Sequence, residues 1–337
     1  MEKNNHMKVK ELRDTLKDKD VKLVNEAFVE VYKMLSKDKK EDADVMLGNI
    51  LSGNGKVKKQ KKEAEKEDLS ALLDEAEIFL ENANQGYYNA PNRIVPKSER
   101  PKWRFKVKKY LKTFLAVSID DPTYPKVLEK IIQLYILLSK ACGVYLFSSD
   151  DPFASVGYIS QVDLYDCIIE RMIPLGLNDQ AIELMIQLAC DFDLDPMTLH
   201  MEFHDRLLAN LDLEEQRKDV IRIAKIMREN ALEKLKKYKS KYQRPYELVS
   251  VMREYNDLIF IFLTAFGIGK KEVDDYLKYD QEKDEEVSMY KMLDYIDIFG
   301  ADEDWVDVYE YMAVAKKVTP RKKLQEKYKE LKKEING

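Results

Sequence analysis

The chain has 337 residues, 35% of them charged, and a formal net charge of −5. A hydrophobic share of 45% supplies a large core and excludes a wholly disordered chain. With 11 Gly, 10 Pro, six Thr and three His, the sequence is poor in turns and β-branched runs, which disfavours sandwiches, barrels and Rossmann sheets.

Helical periodicity governs the chain from its start. Val9, Leu12 and Leu16, then Val21, Val24, Ala27, Phe28, Val31 and Leu35, fall at steps of three and four, as a buried helix face requires. The two stretches join through residues 17–20 as a short helical hairpin. Gly53-Asn54-Gly55 breaks the pattern, and the run 56–66 carries almost no apolar residue, so it reads as a solvated linker or the exposed start of a helix reaching Leu69, Leu72, Leu73, Ala76 and Leu80.

Residues 82–101 (NANQGYYNAPNRIVPKSERP) are irregular, with three prolines and the pair Tyr87-Tyr88. Pro101 then opens the strongest local pattern. Trp103, Val107, Tyr110, Leu111 and Phe114 make one apolar stripe, and Lys102, Arg104, Lys106, Lys108, Lys109 and Lys112 fill the rest of the helix. A second irregular segment, 143–161, carries Tyr145, Phe147, Phe153 and Tyr158. Irregular segments of this length are uncommon inside compact helical proteins and are often functional.

Helix boundaries are punctuated. Asp121-Pro122, Asp195-Pro196 and Thr319-Pro320 each offer a capping oxygen followed by proline, the expected start of a helix. Gly176, Gly267 and Gly300 each follow an apolar helical run and precede a new helix, which predicts left-handed glycine stops and steeply packed neighbours. The expected fold is all-α, with about fourteen helices in antiparallel hairpins, forming an irregular α-solenoid or two packed bundles. The expected organisation is an N-terminal hairpin region over 1–52, a charged linker over 53–68, a central domain over 69–215 and a C-terminal domain over 216–337.

Charge is segregated into blocks. Residues 97–112 carry eight cations against Glu99 alone, and 150–214 carry fourteen acids against two arginines. Residues 217–244 carry eleven cations against three acids, and 272–310 fifteen acids against three lysines. Neighbouring helical layers that neutralise one another are the plain expectation.

Catalytic patterns are weak. His200 and His204 lie four apart on one helix face, but the order is not H-E-x-x-H and no third ligand is identifiable, so two partly exposed histidines and no metal are expected. Ser148-Ser149-Asp150-Asp151 has no histidine near it and suits a turn and helix cap. Gly267-Ile-Gly-Lys270 lacks P-loop spacing. Nothing points to a cofactor. Cys142, Cys167 and Cys190 sit in apolar helical contexts and read as buried, reduced thiols of a cytoplasmic protein. The first residues contain no apolar run that would form a secretory leader. The longest apolar run, Leu258 to Phe266, is too short to span a bilayer.

Short helices, brief capped joints and recurring L-x-x-L-type faces give the chain a resemblance to the HEAT and armadillo class of helical-repeat proteins. Its glycine joints at 176, 267 and 300 keep no constant period. The resemblance implies a non-enzymatic scaffold with broad surfaces for a protein or peptide partner. The residues expected to bind are Tyr87, Tyr88, Arg93, Lys102, Trp103, Arg104 and Lys106, since Tyr, Trp and Arg are the usual interface anchors. The alternative is nucleic-acid binding through 97–112 and 217–244, with an enzyme in the manner of the HEAT-like DNA glycosylases as its variant.

Overall fold

A computed structural model describes residues 15–17 and 19–35, a few isolated positions up to 47, and 68–336 apart from 281 and 283. Among these residues there are fourteen α-helices and no strand, so the all-α expectation holds. The glycine break at 53–55, the charged run 56–66 and the first helix of the expected N-terminal hairpin, up to residue 14, lie outside the described residues. The chain forms two compact units, residues 1–68 and 69–337.

In the first unit, α1 (Val21–Lys33) starts at Asp20, whose carboxylate accepts the Lys22 N–H at 2.7 Å. Lys33 pairs with Glu30 one turn earlier, at 2.7 Å. The apolar stripe is present, but Val21, Phe28 and Val31 remain exposed and α1 buries no residue, contrary to the buried face its spacing predicts.

The second unit holds thirteen helices among its described residues. They are α2 (Leu69–Asn84), α3 (Trp103–Phe114), α4 (Tyr124–Gly143), α5 (Pro152–Val156), α6 (Gln161–Met172) and α7 (Asp179–Cys190). After these come α8 (His200–Asn210), α9 (Glu214–Lys236), α10 (Tyr246–Thr264), α11 (Lys270–Tyr279), α12 (Glu285–Phe299), α13 (Asp302–Glu310) and α14 (Lys322–Asn336). The main packing pairs join helices one to three places apart. Helices α2, α3 and α6 lie on α4; α8 lies on α6 and α7; α7 and α10 flank α9; α12 carries α13, which carries α14.

Two apolar cores result. One runs from Leu72 to Phe262, continuous across residue 216, and the other from Phe260 to Leu324. Helix α10 belongs to both, and this explains the run Leu258 to Phe266. A helix with a core on each side has no polar face to present, so Leu258, Ile259, Phe260, Ile261 and Phe262 are all buried.

The stops and starts follow the sequence in part. Gly176 and Gly267 adopt φ of 96° and 87°, and Asn178 accepts the Ala181 N–H at 2.8 Å to start α7. Gly300 is a correction: its φ is −114°, and glycine serves there as space, because a Cβ would meet Ile296 Cγ2 at 2.9 Å. The three X-Pro starts are corrections too. Asp121 accepts both the Thr123 N–H, at 2.8 Å, and its hydroxyl, at 2.6 Å, which holds a turn, and α4 begins only at Tyr124. Asp195 does the same with Met197 and Thr198, so α8 begins at His200. Helix α14 begins at Lys322, two residues beyond Pro320. Asp151-Pro152 is where this motif operates: Asp151 accepts the Ala154 N–H at 2.9 Å and Pro152 is the first residue of α5.

Candidate binding face

The two irregular segments meet. Asn89 donates to the Tyr145 carbonyl at 2.8 Å, clipping positions 56 residues apart. Beneath the clip lies a wedge of rings. Phe147 stacks on Trp103 with centroids 4.0 Å apart and planes 13° apart, and it contacts Tyr88 at 6.0 Å and Phe79 at 6.3 Å. Tyr88 and Phe79 lie 5.0 Å apart. Offset stacks and tilted pairs of this kind add roughly 0.5–1.5 kcal/mol each beyond the area they bury. Burial and the charges of Glu75 and Glu99 push the Tyr88 hydroxyl up to about 12, so it stays neutral.

Each loop is braced on its own. The Asn92 carboxamide accepts from the Ile94 and Val95 N–H groups, at 2.9 and 2.7 Å, and donates to the Tyr87 carbonyl at 2.6 Å. Arg100 ties the carbonyls of Asn92 and Val95 to the start of α3, both at 3.1 Å. In the second segment the Ser149 hydroxyl meets that of Ser155 at 2.8 Å and accepts the Asp151 N–H. Gly157 takes the left-handed conformation, φ 56° and ψ 47°, and its carbonyl receives Lys108 Nζ at 2.9 Å. Ser149 is thus part of a turn, as the sequence suggests.

The structure separates the residues expected to bind. Trp103 is 4% exposed and Tyr88 is also buried, so both support the face from beneath and offer no surface to a partner. Tyr87 is half-buried against the core. Arg93 is exposed. Lys102 is exposed and pairs with Glu99 at 2.8 Å. Arg104 is exposed, with its guanidinium 4.9 Å from the Phe105 ring. Lys106 pairs with Glu75 on α2 at 2.9 Å. Burial raises the Glu75 carboxyl, but the hydrogen bond from Lys106 and the charges of Lys106 and Lys109 outweigh it and hold that group below the usual carboxylate range.

What the face presents instead is Tyr145, 72% exposed, beside a cleft of about 300 Å³ lined by Ala141, Cys142, Val144 and Ser149. Ile94, in the first segment, and Phe105, on α3, are exposed as well. The run 144–147 is apolar or aromatic throughout, so no local period marks Tyr145 as the exposed ring. Leu146 and Phe147 turn inward while Val144 and Tyr145 turn out.

Other candidates resolve as structure. His204 is buried on α8 with Nε2 3.7 Å from Cys190 Sγ, and His200 Nδ1 lies 3.0 Å from the Ala189 carbonyl. Both imidazoles are held against α7; His200 is partly exposed as expected, whereas His204 is buried, a correction for that ring alone. Burial depresses both, His204 to about 3, so they stay neutral. No group of three or more metal-binding side chains occurs among the described residues. Cys190 is buried, whereas Cys142 and Cys167 are only half-buried, and all three are free of disulfides. Much of the basic 217–228 stretch is neutralised as expected: Arg222 bridges Asp179 and Asp219 at 2.7 and 2.9 Å, and Lys218 pairs with Glu214 at 2.5 Å.

Sequence reading missed a cleft of about 410 Å³ between α7, α9 and α10, lined by Glu183, Asp191, Asn230, Lys234, Glu247 and Tyr255 among others. Tyr255 donates to Asp191 at 2.5 Å. Burial pushes the Asp191 carboxyl up to about 6 against the lowering effects of that hydrogen bond and of Lys234. Asp191 and Tyr255 are 64 residues apart, so no local pattern announces the pair.

Comparison with protein-family models, with curated proteins and with solved structures returns no match to this chain.

Proposed function

We propose that the chain is a non-enzymatic helical scaffold that holds a protein or peptide partner on the face built from segments 85–99 and 144–160. The observation that carries this reading is the clip between Asn89 and Tyr145 over the Trp103–Phe147 stack. It leaves a large aromatic side chain outside a braced loop pair. A braced aromatic loses little freedom on binding, which is what makes tyrosine an effective anchor. Arg93, within the first segment, and Arg104, on α3, are exposed and supply charge.

The packing of each helix on near neighbours in the chain supports an irregular α-solenoid of the HEAT or armadillo kind. Three cysteines free of disulfides support a reducing, cytoplasmic setting. No helix among the described residues is long and apolar enough to cross a membrane.

The test is a single substitution read in two ways. Tyr145→Ala removes an exposed ring and should weaken partner capture at least tenfold with no change in thermal unfolding, since anchor residues contribute about 2 kcal/mol or more. Undiminished capture by Tyr145→Ala would remove the basis of the proposal.

A further inference from the structure

The basic stretch that ends α9 divides into two chemically different parts. Along the helix several cations are engaged: Arg217 Nε donates to the Leu211 carbonyl at 2.7 Å, Arg222 bridges two aspartates, and Lys236 pairs with Glu233 at 2.6 Å. The connection from α9 to α10, taken with the first residue of α10, differs. Residues 237–246 read KYKSKYQRPY, with four cations, three tyrosines and no acid.

Hydrogen bonds hold the connection in a turn. Tyr238 N–H donates to the Leu235 carbonyl at 3.1 Å, Gln243 N–H donates to the Ser240 carbonyl at 3.0 Å, and the Ser240 hydroxyl accepts the Tyr242 N–H at 3.3 Å. This turn directs its rings outward. Tyr242 is 99% exposed, Tyr246 is 75% exposed and Tyr238 is also exposed. Lys237, just before Tyr238, and Lys239, between Tyr238 and Tyr242, are exposed. The Arg244 side chain is partly buried, and its Nε is buried without an acceptor.

We propose that this tip is a binding surface for single-stranded nucleic acid, a site distinct from the partner face above. Burial explains most aromatic side chains of this protein, but it does not explain a tyrosine whose ring stands fully in solvent. Tyrosines recurring every four residues, with cations between them, provide the two things a single strand needs: ring faces for unstacked bases and positive charge for the phosphodiester chain. A duplex keeps its bases stacked on one another and would meet only the charges. An acidic peptide would likewise use the charges and leave the rings idle. Glu247, one residue beyond the tip, is the nearest opposing charge in sequence.

The test uses the full chain and fluorescein-labelled 15-nucleotide strands of deoxythymidylate and of uridylate, read by fluorescence anisotropy at 50 mM salt. Wild type should bind at least one of the two strands. Their ratio shows whether DNA or RNA is preferred. Tyr242→Ala and Tyr246→Ala should each weaken binding about fivefold or more, the lower end of what base stacking on one ring supplies. Tyr242→Phe, which keeps the ring, should bind like wild type. Lys237→Glu with Lys239→Glu should flatten the dependence of log Kd on log salt, by about 0.7 for each phosphate no longer neutralised. Because the Tyr242 side chain is not packed into the fold, its variants should unfold at the wild-type temperature. The proposal is overturned if wild type binds neither strand, if removing the rings leaves affinity unchanged, or if duplex DNA or polyglutamate competes as well as the unlabelled strand.

Discussion

Trp103→Ala distinguishes a residue that supports the binding face from one that forms it. The indole is 4% exposed, lies 4.0 Å from Phe147 and closes the core between α3 and the second loop. Truncating a buried tryptophan costs about 3–5 kcal/mol, because the lost transfer energy is joined by the cavity left behind. Roughly 1 kcal/mol of that is the ring–ring contact. A domain of ordinary stability, about 5–15 kcal/mol, would lose a large fraction of it. The assay is urea unfolding followed by circular dichroism, with fluorescence as a second channel. The chain has two tryptophans, so the variant leaves Trp305 as the sole reporter, buried in the other core. The early part of the transition should appear by circular dichroism at lower urea than by Trp305 fluorescence. A loss below about 1 kcal/mol, the size of an ordinary substitution, would refute the assignment of Trp103 to the core. So would an equal loss in Tyr145→Ala, whose exposed ring should cost no more than about 0.5 kcal/mol.

Other outcomes follow from the same packing. His204 is held neutral in the fold, with its pKa near 3, whereas the unfolded chain takes up a proton near 6.5. The unfolded state therefore binds more protons between these values, and stability should fall by up to about 1.4 kcal/mol per pH unit below 6.5. His204→Leu should flatten that slope in urea titrations at pH 7.5 and 5.0, and an unchanged slope would place the titration elsewhere. Arg228 is buried against Asn256 at 2.7 Å, Asp275 at 2.9 Å and the Tyr279 ring at 3.6 Å. Asp275→Ala, which leaves that guanidinium unpaired, should cost about 3 kcal/mol in chemical denaturation, more than Arg228→Met, which removes the charge itself. Gly157→Ala should cost about 1 kcal/mol because its backbone is left-handed, and Gly157→Asn should cost less in the same measurement.

The helices were legible because burial repeats locally. The stripe Trp103, Val107, Tyr110, Leu111 and Phe114 is buried as its spacing dictates. Asn178 and Gly176 act as their residue types predict. The X-Pro starts at 121 and 195 lie before their helices because Asp121 and Asp195 accept from side-chain hydroxyls as well as backbone N–H groups, and this holds the chain in a turn for several residues more. The face was half legible. Its two segments and their aromatic content stood out, but which rings point inward depends on the 56-residue contact between Asn89 and Tyr145. Tyr88, read as an anchor, is packing, and Trp103 is packing as the helical stripe it belongs to dictates. The Asp191–Tyr255 cleft was invisible, because its parts come from three helices and carry no local period. The difference within 217–244 depended on exposure, which composition does not report.

Site-specific photo-crosslinking tests the proposed partner face most directly. A benzoylphenylalanine placed at 145 or 94, and at exposed Ile298 on α12 as a control, is irradiated in extract of the native cells. One discrete polypeptide adduct is expected from 145 and 94, absent from 298 and reduced by excess unlabelled wild type. No adduct at 145, or the same adducts at all three positions, would contradict the assignment of this face to a protein partner.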